Sequence, residues 1–162
     1  MRLRAFSRAV AAALACFAVL AGCAGEPEPP TLADATRQLV SDGDALMASI
    51  EADLTGLTKQ RAEQDRTTSC TSGEVQRYFM VKGDFADPDR QDVLSRIGLL
   101  KGKLQALGYQ EVVDELDILE DGLGVSVLTH AESRLTFVLV GRLSEKPNVL
   151  IAGKTECYPR NG

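Results

Sequence analysis

Along this chain the spacing of apolar positions changes several times, and each spacing predicts a different element. Ala9 to Leu20 is an apolar run without a charge, preceded by Arg2, Arg4 and Arg8. This is the layout of the positive and apolar regions of a secretory signal. The run is too short to cross a bilayer, since a spanning helix needs roughly 20 apolar residues. Farther on, Leu32, Thr36, Leu39, Gly43, Leu46, Ile50, Leu54 and Leu57 recur at steps of three and four. That spacing predicts one long amphipathic helix bent at Gly43, and Thr31 with Asp34 forms a capping arrangement at its start. Such a stripe suits a partner helix or a lipid, but ordinarily it faces the protein's own core. Lys59 to Ser72 is polar and aperiodic, which predicts a loop fastened at Cys70.

The second half reads mostly as strands. Glu74 to Val81 is rich in β-forming residues after Ser72 and Gly73. A helix follows, with Asp87 as its cap, Pro88 at its first position, Val93, Ile97, Leu100, Leu104 and Leu107 on one face, and Gly108 at its end. Glu111 to Leu119, an Asp121-Gly122 turn, and Gly124 to His130 form the next strand pair. Leu135 to Val140 alternates apolar with apolar or threonine, so this strand is buried on most of both faces. A turn with Pro147 leads to a last strand, Val149 to Cys157. Helix, strand, helix and four strands predict an α+β two-layer sandwich: an antiparallel sheet of about five strands with two helices on one face.

Ala24 to Pro30 is small, acidic and proline-rich, a composition that forms neither helix nor central strand and serves as a short extended tether. Just before it, Leu20, Ala21, Gly22 and Cys23 resemble the lipobox of bacterial lipoprotein precursors at every position. The resemblance implies cleavage before Cys23 and a diacylglyceryl (palmitate-type) group on its sulfur. Two acyl chains satisfy the requirement of stable anchoring for more than one chain. The competing reading is an ordinary signal peptide whose small-residue cleavage site lies near a cysteine. The expected organisation is a signal over 1–22, a lipidated tether over 23–30 and a single α+β domain over 31–162. The expected location is the outer face of the bacterial cell membrane.

The lipobox also orders the four cysteines. Cys16 leaves with the signal and Cys23 carries the lipid, so Cys70 and Cys157 remain to form a disulfide in an oxidising compartment. Because a disulfide needs Cα atoms within about 7 Å, the strand after Cys70 and the strand ending at Cys157 are predicted to be antiparallel neighbours. A reactive or metal-binding thiol pair is the alternative, but there is no C-x-x-C spacing and no nearby histidine.

Charge narrows the choice of partners. The signal holds three of the 18 basic residues and none of the 23 acidic ones, so 15 against 23 leaves the mature chain at −8. That balance argues against nucleic acid and against an anionic membrane surface; it suits solubility, or a basic protein partner. Attachment to the membrane is expected only through the lipid on Cys23.

Catalytic signals are sparse. His130 is the one histidine, at a strand end beside a turn, and reads as an exposed turn residue without a catalytic partner. No serine stands in a G-x-S-x-G elbow, and there is no phosphate loop or dinucleotide fingerprint. The acidic stretch Asp114 to Asp121 is a calcium candidate, but Leu116, Ile118 and Leu119 interrupt it and it lacks EF-hand spacing. No cofactor, metal site or catalytic residue is expected. Over the remaining domain, the long first helix, Cys70 before a strand, the helix ending at Gly108 and the closing GKTECYP from Gly153 to Pro159 resemble small actinobacterial LppA-like lipoproteins of unknown function. That resemblance implies no activity and no site residues. The expected function is a non-enzymatic, membrane-anchored module that binds protein or supports the envelope. The alternatives are a small-ligand or lipid carrier with a cavity between helices and sheet, and an immunity-type lipoprotein that masks a secreted toxin.

Overall fold

The computed structural model describes residues 28–60, 65–86, 92–113 and 121–160. The expected signal, Cys23, most of the expected tether, Asp87, Pro88 and most of the acidic stretch Asp114 to Asp121 lie outside the described residues. Among the described residues the architecture is α+β: two helices, one antiparallel sheet of six strands and a small two-stranded sheet.

Helix α1 spans Leu32–Met47. Its cap is the expected one: Thr31 accepts the amide of Asp34 at 3.2 Å, and its hydroxyl donates to the Asp34 carboxylate at 2.7 Å. Hydrogen bonds from Thr31 and then Arg37 hold the Asp34 carboxyl below its ordinary value. The helix is ten residues shorter than its stripe suggests. At its end the bonding tightens, with Ser49 N–H donating to Leu46 and Ile50 N–H to Met47, and a 3-10 turn follows over Glu51–Asp53. Leu54 and Leu57 keep the helical spacing but belong to strand β1, Leu54–Gln60. The ladder of β1 slips at a bulge between Thr55 and Thr58, where Gly56 adopts a φ of 60°, and Leu54 packs against the core while Leu57 is exposed, so their spacing of three marks no common buried face. The expected loop from Lys59 to Ser72 is thus partly strand, and Arg66 bridges to Gln76.

Strand β2 is Glu74–Val75 and β3 is Tyr78–Phe85. Helix α2, Val93–Ala106, is capped by Asp92 and not by the expected Asp87 five residues earlier; the Asp92 carboxylate accepts the amide of Leu94. Gly108 ends it with a φ of 94°. Val93, Ile97, Leu100 and Leu104 are buried as expected, but Leu107 is 46% exposed. The remaining strands are β4 (Gln110–Val113), β5 (Leu123–His130), β6 (Leu135–Arg142), β7 (Val149–Thr155) and β8 (Tyr158–Pro159).

The large sheet runs β1-β3-β7-β6-β5-β4, and β2 pairs with β8. As the cysteine argument requires, β3 lies antiparallel to β7, with Val81 opposite Ile151. Cys70 and Cys157 are bonded, their Cα atoms 5.7 Å apart, and fasten the β2–β8 pair to the end of β7. Side chains alternate across a strand, so Phe79, Val81, Phe137, Leu139, Gly141, Ile151 and Gly153 share one face. Both helices cover it, α1 over β3 and β7, α2 over β5 and β6.

Glycines set how closely the layers approach. A Cβ at Gly153 would lie 2.6 Å from the Phe137 ring and 2.7 Å from Leu39, and one at Gly141 2.6 Å from Ile97. Gly43, expected to bend α1, instead lets the helix rest on the Phe79 ring.

Candidate functional site

Two places gather side chains with chemical potential. The first lies where the β5–β6 turn meets α1. His130, at the end of β5, is half-buried, not the exposed turn residue its position suggests. Its Nδ1 accepts the amide of Ser133 at 3.2 Å, and its ring meets Tyr109 edge-on with centroids 5.1 Å apart. Tyr109 packs edge-on against Phe137 as well, and its hydroxyl donates to Asp42 at 2.7 Å. Asp42 is 4% exposed, and Gln38 donates to its other oxygen at 2.8 Å. Burial, then the bond to Asp42, raises the Tyr109 phenol far above its ordinary value. Above this network is a cleft of about 340 Å³ lined by Gln38, His130, Glu132 and Ser133 among others.

The chemistry of this cluster is that of a closed network. Both Asp42 oxygens have a donor, and among the described residues no hydroxyl or thiol is hydrogen-bonded to the imidazole of His130, so no nucleophile and base are paired. Asp42 was invisible to a periodicity argument because it sits on the buried side of α1 beside Leu39 and Gly43, and one of its two donors, Tyr109, is 67 residues away. The signal that would have found it is a lone acid on an otherwise apolar face, which must have a buried donor.

The second place is the outer face of the sheet, opposite the helices. Cross-strand register aligns its side chains into rows. One row reads Gln60, Met80, Ala152, Val138, Val127, Val113 from β1 to β4. The next reads Thr58, Lys82, Leu150, Val140, Val125. On the other side Tyr78, Lys154, Thr136, Thr129 and Gln110 form a polar row. Met80, Ala152, Val138, Val127 and Leu150 are half-buried, so this face presents apolar side chains where an antiparallel sheet with one wet face would present polar ones. Lys82, Lys154 and Arg66 stand exposed around it.

Of the residues singled out in the sequence, Cys70 and Cys157 are brought together and His130 enters the Asp42 network, while Cys23 lies outside the described residues. The calcium candidate is described only at Asp121, in the turn before β5, and among the described residues no group of three or more His, Cys, Asp or Glu is placed to hold a metal ion. No helix among them is long and apolar enough to cross a membrane. Neither a protein-family model nor a curated protein nor a solved structure matches this chain.

Proposed function

We propose that this protein is a membrane-anchored extracytoplasmic lipoprotein, non-enzymatic, whose domain is a binding module that engages a protein or envelope component through the outer face of its sheet. The lipobox-like Leu20 to Cys23 and the tether behind it supply the anchor, as in the small actinobacterial lipoproteins the chain resembles. The observation that carries the binding role is the apolar row Met80, Ala152, Val138 and Val127 crossing β3, β7, β6 and β5, with Leu150 beside it. Half-buried apolar side chains aligned on an outer face and rimmed by Lys82, Lys154 and Arg66 are the usual mark of a recognition surface. The close contact between helices and sheet at Gly43, Gly141 and Gly153 turns attention from the interior to this surface.

A photo-crosslinking residue at Val138, compared with one at Leu99 on the exposed side of α2, tests the reading in cells. Expected are discrete adducts from Val138 and none from Leu99, with the wild-type chain in the membrane fraction and Cys23→Ala released from it. Equal labelling from both positions overturns the outer face as recognition surface. Membrane retention of Cys23→Ala overturns the anchor, and a hydrolytic activity lost in His130→Ala overturns the non-enzymatic role. A second reading, carriage of a small ligand, is favoured by one observation, a groove on the same outer face.

A further inference from the structure

The groove has a volume of about 350 Å³ and runs between the sheet and the segment leading to Cys70. Its floor is the row Met80, Ala152, Val138, three direct cross-strand neighbours in which the smallest side chain is the middle one. At one end Tyr78 lies opposite Lys154. There the Arg66 guanidinium stacks 4.2 Å from the centre of the Tyr78 ring and donates to its hydroxyl at 2.7 Å.

We propose that this groove binds a single-chain anionic amphiphile, the aliphatic chain lying along Met80, Ala152 and Val138 and the anionic head held at the Tyr78 end by Lys154 and Arg66. The inference deepens the small-ligand form of the outer-face reading and rests on that face being the recognition surface; it is independent of the anchor.

Three physical arguments select this occupant. The floor strands β3, β7 and β6 are each paired on both sides, so an extended peptide laid across them finds no main-chain partners, the source of affinity in strand addition. An aliphatic chain needs none. Second, Lys154 and Arg66 have no carboxylate within salt-bridge distance among the described residues, although the chain as a whole carries −5. Cations with no carboxylate partner among the described residues, at the end of an apolar trough, complement an anionic head, and they disfavour a second copy of this chain docked through the same face, whose own cations would meet them. Third, the volume lies at the lower end of ligand pockets, roughly 300 to 1,000 Å³, which suits one chain.

The chain contains three methionines, Met1, Met47 and Met80. Met47 is 1% exposed in the core beneath α1, and Met80 lies in the groove floor. The full chain, ε-methyl-labelled at methionine, is titrated with monomeric laurate, dodecanol and acetate. The expected result is a saturable shift of the Met80 methyl with laurate while Met47 stays still, weaker binding of dodecanol, and no saturable shift with acetate. Lys154→Gln weakens laurate about fivefold, as expected for an exposed charge pair, and leaves dodecanol unchanged. Ala152→Leu fills the trough and removes the Met80 response, with an unmoved Met47 signal reporting an intact core. A Met80 methyl that does not saturate, laurate binding unaltered in Ala152→Leu, or equal affinity for laurate and dodecanol overturns the proposal. If the Met80 response is absent while crosslinking at Val138 persists, the ligand is refuted and the protein-binding face stands; loss of both refutes the outer face itself.

Discussion

A methyl group added at Gly43 would sit 2.7 Å from three carbons of the Phe79 ring, whereas one added at Gly98 would meet nothing within 4 Å. Both glycines are inside helices, where alanine is preferred by about 1 kcal/mol. At Gly98 that preference acts alone, so Gly98→Ala is expected to stabilise by about 0.5 to 1 kcal/mol. At Gly43 overpacking, typically about 1 to 3 kcal/mol, outweighs it, and Gly43→Ala is expected to lower the urea midpoint. Two substitutions of one chemistry thus have opposite signs in urea unfolding. Tyr109 makes a second case at this scale. Tyr109→Phe leaves Asp42 buried with one donor fewer and is expected to cost about 1 to 3 kcal/mol at neutral pH. The folded phenol titrates above its ordinary 10.0, raised first by burial and next by the Asp42 bond. The contribution of Tyr109 to stability is therefore full below pH 10 and declines above it, where the unfolded chain ionises and the fold does not. Tyr109→Phe is expected to flatten this decline when urea midpoints are compared across the alkaline range. Gly108 was legible as a helix stop because only glycine fits its φ freely; Asp42 was not, because its partner is set by tertiary contact.

Among the elements, the β2–β8 pair depends most on covalent help, being two residues long on each side. The Cys70–Cys157 bond closes a loop with a sequence separation of 87. On the chain-entropy view this restricts the unfolded chain by about 4 to 5 kcal/mol. Cys70→Ser with Cys157→Ser is expected to lose much of that in urea unfolding; an unchanged midpoint would show that the bond contributes only locally. Helix α2 and strands β5, β6 and β7 were readable because their periodicities are clean. Strand β1 was not: Leu54 and Leu57 continue the spacing of the α1 stripe by sequence alone, and α1 lost its last predicted turns to a strand that pairs with β3. Backbone pairing with a strand 20 to 31 residues on, from Gln60 with Met80 to Leu54 with Phe85, outweighed a weak local preference.

Across the whole molecule, protection is expected to follow position in the sheet. β3, β7 and β6 lie inside it beneath the helices, while β1 and β4 are its edges and most β1 side chains are exposed. Hydrogen exchange should find the slowest amides in β3, β7 and β6 and faster opening in β1 and β4. Faster exchange in β7 than in β1 would contradict this order. The sequence by itself determined the α+β class, helix α2, the alternating strands β5 to β7, the cysteine pair, and through that pair the adjacency of β3 and β7. These follow from periodicity, local backbone chemistry and the short reach of a disulfide. Only the tertiary structure decided the end of α1, the existence of β1, the Asp42–Tyr109 bond and the alignment of Met80, Ala152 and Val138 into one trough. Each of those depends on register between distant segments, and alternation along one strand tells which face a side chain takes but not which neighbour it meets there.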